Sequence, residues 1–191
     1  MPMTLGELKA AVMSTIGADY TADIVRYLNK GLLELSSLSQ VLSRDDVTIV
    51  AGSFAIPEDC LIAKDVFVNG YQLGKYALTD TPSLLNGDPA CWLRDGANIK
   101  VYPTPEGSTS AQIIYINREA KMEADSDTYT LEDADEFLIN YAKWHVLIDT
   151  KGLTDEALYW KQEAANEKAE WLKLNSAQNQ RPRRVRVGRW E

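Results

Sequence analysis

Most of the chemistry by which a sequence announces an enzyme is missing from these 191 residues. There is one histidine, His145, so no pair of imidazoles is available to a metal and no His-x-x-x-His run exists. The two cysteines, Cys60 and Cys91, lack any metal-type spacing; two thiols outside a framework pattern read as free thiols in a reducing compartment rather than as a disulfide. No Gly-x-Ser-x-Gly elbow, Walker loop or Gly-x-Gly-x-x-Gly turn occurs, which removes common routes to acyl transfer and nucleotide binding. No apolar run approaches the ~20 residues that span a bilayer, and Met1-Pro2-Met3-Thr4 is not a basic stretch followed by an apolar one. Neither membrane insertion nor signal-dependent secretion is expected.

What remains is an ordinary globular composition, 45% hydrophobic and 25% charged, long enough for one domain or two small lobes. The net charge of −8 is unevenly spread: five arginines against Glu191 give residues 181–191 a net +4, leaving −12 for residues 1–180. An acidic body with a basic tail argues against a DNA-coating protein, whose body should carry the positive charge.

Apolar spacing predicts a first helix over Thr4 to Ile16, opened by a Thr4-x-x-Glu7 capping box and closed by Gly17, and a second from Thr21 to Gln40. From Asp46 the period changes to that of strands. Val47 to Val50 and Ser53 to Ile56 read as a hairpin around Ala51-Gly52, and Leu61 to Val68 turns at Asn69-Gly70 into Tyr71 to Leu73. Cys91 to Leu93 and Asn98 to Tyr102 bracket Asp95-Gly96 as another hairpin, and Ala111 to Asn117 is a last strand. A second helical pair runs from Thr130 to about Asn175, with Thr130 and Asp133 as its cap and Gly152 and Thr154 at its turn. Its first helix shows a stripe of Ala134, Phe137, Leu138, Tyr141, Trp144, His145 and Ile148, with Lys143 off the stripe. In its second helix Leu158, Ala164, Ala165, Ala169 and Leu172 are taken as the inward row, with Trp160 and Trp171 at the edges. Helices flanking a run of antiparallel strands give an α+β fold, divided as 1–45, 46–120, 121–175 and a C-terminal arm, 176–191, whose composition favours disorder in solution.

His145 is expected as a packed, hydrogen-bonded core histidine rather than a general base. The carboxylates of Glu123 to Asp127 and Glu132 to Glu136 read as solvated residues beside helix starts, not as a calcium loop. No catalytic residue, metal site or cofactor is assigned, and the protein is expected not to be an enzyme. The end of the chain is more informative. Arg181, Arg183, Arg184, Val185, Arg186, Val187, Arg189 and Trp190 form either a solvated basic end or a binding arm, with valine–arginine alternation able to add a strand to a partner's edge. The loops carrying Asp80, Pro82, Leu84, Leu85, Asn86 and Asp88, and Pro103, Pro105 and Glu106, are candidates for contact with a neighbour.

Ile56-Pro57-Glu58-Asp59, the run Ala63-Lys64-Asp65-Val66-Phe67-Val68-Asn69-Gly70 and then Leu73 resemble a segment of tailed-bacteriophage head-to-tail adaptor proteins. The resemblance continues through Ile99-x-Val-Tyr-Pro-Thr-Pro105, Ile114-Tyr115 and the helical pair from Thr130 to Leu174, and the chain looks like the podophage tail accessory factors of that family. It implies an antiparallel four-helix bundle with an inserted antiparallel β domain and an extended C-terminal arm. In that family such subunits form a ring, commonly of twelve, beneath the portal protein. The ring extends the channel toward the tail or nozzle, or the next neck protein, and the C-terminal segment fastens it to the portal.

By that resemblance the protein would be a virion component of the head–tail junction, assembled in the host cytoplasm, with the subunit monomeric before docking and DNA passing the channel without specific binding. An acidic body offers few phosphate contacts, which suits a sliding genome. The alternative from another class is a soluble protein-interaction module whose basic tail contacts nucleic acid.

Overall fold

The computed structural model describes residues 2–39, 42–76 and 87–179. It divides into two compact units, one of Met1–Gln40 with Glu119–Glu191, the other of Val41–Arg118.

The first unit is helical. In α1 (Leu5–Ile16) the capping box forms: the Glu7 amide donates to the Thr4 hydroxyl, 3.3 Å, and the Thr4 amide to the Glu7 carboxylate, 2.7 Å. Gly17 ends it at a φ of 96°, in the left-handed region that glycine enters at low cost. A single 3-10 turn, Ala18–Tyr20, leads into α2 (Thr21–Leu38). The later pair is α3 (Asp135–Lys151) and α4 (Asp155–Asn179). Leu5, Leu8 and Val12, then Ile24, Leu28 and Leu32, then Phe137, Leu138 and Val146, then Ala164 and Trp171 share one buried cluster, so all four helices contribute to one core.

Three expectations for this unit are corrected. Helix α3 does not begin at Thr130, because the Glu119 carboxylate takes both the Thr130 hydroxyl and its amide (3.1 Å), and Asp133 adopts a φ of 56°. Lys143, expected off the apolar stripe, is buried; its stem packs inward and its ammonium lies 4.0 Å from the Trp160 ring centroid. The third correction concerns α4. Its buried row is Ala157, Ala164 and Trp171, while Leu158, Ala165, Ala169 and Leu172 are exposed, about 100° further round the helix. Trp171 is inside rather than at the edge. The helix also continues four residues beyond Asn175, to Asn179.

The second unit holds two four-stranded sheets. One has the order β1 (Leu42–Ile49), β8 (Thr109–Asn117), β3 (Cys60–Val68), β4 (Tyr71–Gln72). The other runs β2 (Ser53–Ala55), β7 (Asn98–Tyr102), β6 (Cys91–Asp95), β5 (Gly74–Lys75). Ile49, Val66, Ala111 and Ile113 from the first sheet and Phe54, Trp92, Ile99 and Val101 from the second form one core. Asn69 and Gly70, with φ of 51° and 81°, make the expected two-residue turn between β3 and β4.

The hairpin expected across Ala51-Gly52 is reduced to one bridge, Val50 to Ser53. Beyond it β1 pairs with β8 in one sheet and β2 with β7 in the other. Burial explains the divergence, since Ile49 and Phe54 enter the shared core from different sheets. The strands are also not all antiparallel: β5 lies parallel to β6, with Gly74 opposite Cys91. Both thiols are free and buried, and burial pushes the pKa of each upward.

Candidate docking surfaces

The loop residues singled out from sequence gather only in part. Asp80, Pro82, Leu84, Leu85 and Asn86 lie outside the described residues, as does the whole arm: Arg181, Arg183, Arg184, Val185, Arg186, Val187, Arg189 and Trp190. Of the rest, Asp88 and Glu106 are exposed, Pro103 is half-buried, and Pro105 is buried, so Pro105 shapes its loop from inside rather than offering a contact.

Backbone pairing draws these segments to one end of the second sheet. The Ala90 amide donates to the Tyr102 carbonyl, 2.8 Å, and Gly87 comes against the Pro103 ring. The Val101 amide donates to the Gly52 carbonyl, 2.9 Å, and a Cβ on Gly52 would sit 2.9 Å from Thr104 Cγ2. Here glycine is required twice over, by that approach and by a φ of 77°. The exposed carboxylates of these loops are Asp88 and Glu106.

The acidic run Glu123 to Asp127 serves a helix start, but not the one beside it in sequence. The Asp127 and Asp125 carbonyls accept from the Leu5 and Gly6 amides at 2.8 and 3.0 Å, and the Asp125 carboxylate meets Lys9 at 2.6 Å. These groups occupy donors that the first turn of α1 leaves unpaired. Amides of Glu123 and Ala124 donate to the Asp127 carboxylate, holding its pKa below the usual carboxylate range.

His145 sits within a ladder of rings. It stacks on Tyr27 at 4.8 Å and contacts Tyr141 at 4.4 Å and Trp144 at 4.1 Å between centroids. Ring contacts hold it, and the expected hydrogen bond to the imidazole is absent among the described residues. Burial, and then Lys30, lower its pKa, favouring the neutral ring. Around it, the Tyr27 hydroxyl and Arg26 both donate to Asp149, and Lys168 reaches Glu34 at 2.5 Å.

Two surfaces escaped sequence reasoning. A groove of about 490 Å³ lies on the β1–β8–β3 sheet, lined by Arg44, Asp46, Phe67, Asn69, Ser110 and Gln112. Strand alternation places Arg44, Asp46, Gln112 and Phe67 on the face opposite Ile113, but only once the β1–β8 pairing is known. The second surface is the exposed row of α4.

Exposed loops on the β unit, the groove on its first sheet and the outward apolar row of α4 are the surfaces that these units offer, and the lone imidazole is held among packed rings. The model of the SU10 adaptor protein family matches residues 3–188, and the chain belongs to that family. No curated protein matches it.

Proposed function

We propose that this chain is a structural head-to-tail adaptor of a tailed phage. Copies of it form a ring, of about twelve by family resemblance, below the portal protein, extending the DNA channel and offering a platform to the tail, nozzle or next neck protein. The observation that carries this reading is the family match over residues 3–188 of a chain ordered as helices, strands, helices. In it the helical unit is an antiparallel four-helix bundle, the β unit is its insertion, and the residues after α4 are a fastening arm. Arg181, Arg183, Arg184, Arg186 and Arg189 supply charge to that arm, and Val185, Val187 and Trp190 supply apolar anchors.

An arm that orders on docking loses its conformational entropy at the binding step, and repetition around a closed ring offsets this through multivalency. Asp88, Pro103 and Glu106 are the described part of the surface turned to the tail or to a neighbour. The acidic body leaves passing DNA few cations to hold.

Deletion of residues 180–191, which spares all of α4, tests the reading. The truncated chain should give an unchanged circular-dichroism melt and fail to co-sediment with portal-containing particles. Full co-sedimentation of the truncated chain rejects the arm's role. Salt-sensitive binding of bare DNA by the intact chain, with no affinity for portal particles, favours the nucleic-acid-contacting module instead.

A further inference from the structure

Helix α4 is tied to its unit less firmly than its length suggests. Of its described side chains only Ala157, Ala164 and Trp171 are buried, in a helix of 25 residues, whereas α2 buries Ile24, Tyr27, Leu28, Leu32 and Leu35 in 18. Two of the three are alanines, which remove little apolar area from water. It packs along α3 and reaches α2 through Lys168 and Glu34. Helices α1, α2 and α3 also pack on one another, around a core that α4 enters, among the described residues, with Ala164 and Trp171.

The seam between α3 and α4 carries charge. Lys143 is buried on α3 with its ammonium 4.0 Å from the Trp160 ring centroid, and Lys161 on α4 lies 5.5 Å from that of Trp144. Glu136 on α3 and Glu167 on α4 are like charges across the same seam; burial, then Glu170, Glu136 and Glu163, raise the pKa of Glu167. Drawing Lys143 and Glu167 out of water costs free energy, which offsets part of what Trp171 contributes.

The link to α3 is short and unobstructed. Gly152 ends α3 at a φ of 76°, a Cβ there would meet no atom within 4 Å, and Leu153 is 71% exposed. A rotation at this point displaces no packed side chain.

We infer that α4 is a strap, which swings away from α3 about Gly152 as one unit while α1, α2 and α3 stay folded. Release withdraws the Trp171 indole from the Glu132 carbonyl, uncovers Lys143 and Trp144 on α3, and lets residues 153–191 reach further from the body. No glycine or proline interrupts residues 155–179, so the segment has no internal break at which to open piecemeal. Most of the stability of a protein helix comes from packing, so its amides exchange once it is released. The strap goes beyond the adaptor reading and does not depend on it.

Hydrogen exchange of the full chain, read by mass spectrometry, tests it. Peptides from residues 155–175 should exchange at least about tenfold faster than those from α1 and α2, with the weaker dependence on added urea that marks a local opening. Two variants separate local release from global unfolding. Trp171→Phe, which loses the bond to Glu132, should speed exchange in 155–175 about fivefold. Ile24→Val, buried in α2, should speed exchange in α1 and α2 about two- to tenfold and leave 155–175 at the parent rate. Equal rates and equal urea dependence in all four helices, an Ile24→Val variant that speeds α4 as much as α2, or a Trp171→Phe variant in which α4 keeps the parent rate would each overturn the strap.

Discussion

The indole N–H of Trp171, on α4, donates to the carbonyl of Glu132, 2.9 Å away, while the ring itself is almost fully buried. One side chain thus satisfies a backbone carbonyl just ahead of α3 and fills the core shared by the helices. The two contributions can be separated. Trp171→Phe keeps most of the apolar volume and loses the donor, and should cost about 1 kcal/mol; Trp171→Ala leaves a cavity as well and should cost about 3–5 kcal/mol. Urea unfolding followed by far-ultraviolet circular dichroism reads both, and equal losses would contradict the division.

Gly52 supports a prediction of another kind, because nothing there concerns volume in the core. Its φ is 77° and a Cβ would meet Thr104 at 2.9 Å, so Gly52→Ala brings backbone strain and a clash together, for a loss of about 1–3 kcal/mol. Gly52→Ala with Thr104→Ala removes both the methyl group and the hydroxyl that a Cβ would meet, and should recover the steric part only. Full recovery in thermal melts would assign the whole cost to the clash.

The neutral imidazole of His145 gives the helical unit a pH dependence. Arg26, Lys30, Glu34 and Asp149 surround it, and burial is the largest cause of its lowered pKa. The unfolded chain binds a proton near the ordinary value of about 6.5, and the folded chain only below that. Stability is therefore fully present above about pH 6.5 and declines as pH falls from there toward the folded value. His145→Gln should flatten the change in urea midpoint between pH 7.5 and 5.5 relative to the parent. Trp144, 4.1 Å from the imidazole, makes tryptophan fluorescence the natural probe. An unchanged slope in the variant would place the titration elsewhere.

What could be read from the sequence was local. The Thr4–Glu7 box, Gly17, the Asn69-Gly70 turn and Thr154, whose hydroxyl accepts from the Ala157 amide at 3.2 Å, are each decided within a few residues. What could not be read depends on partners distant in the chain. Val47 to Val50 and Ser53 to Ile56 carry a legitimate hairpin signal, yet β1 finds its partner in β8, whose residues lie 60 or more positions away from those they pair with. Glu123 to Asp127 precede α3 and α4 in sequence but cap α1, where Gly6 admits the Asp125 carbonyl so closely that a Cβ would lie 3.2 Å from it. Of the candidate contact surface, Asp88, Pro103 and Glu106 were legible as loop residues, whereas Pro105 was not legible as buried because proline in a loop gives no sign of the face it turns inward.

The register of α4 was illegible for a related reason, and it yields the sharpest test. Two apolar rows differing by one residue give nearly the same periodicity, and only the position of α3 decides which is covered. Ala164 and Ala165 are neighbours in sequence with opposite fates, the first 3% exposed and the second open to solvent. Ala164→Leu forces three extra carbons into a packed core and should cost about 1–3 kcal/mol. Ala165→Leu adds the same atoms at the surface of a helix, where leucine propensity is close to that of alanine, and should change stability by less than about 0.5 kcal/mol at 1 µM protein. The order must be this one if the inner row is Ala157–Ala164–Trp171. A loss in Ala165→Leu that exceeded the loss in Ala164→Leu would return the helix to the register its leucines suggest, with Leu158 and Leu172 inside and Trp171 displaced from the Glu132 carbonyl.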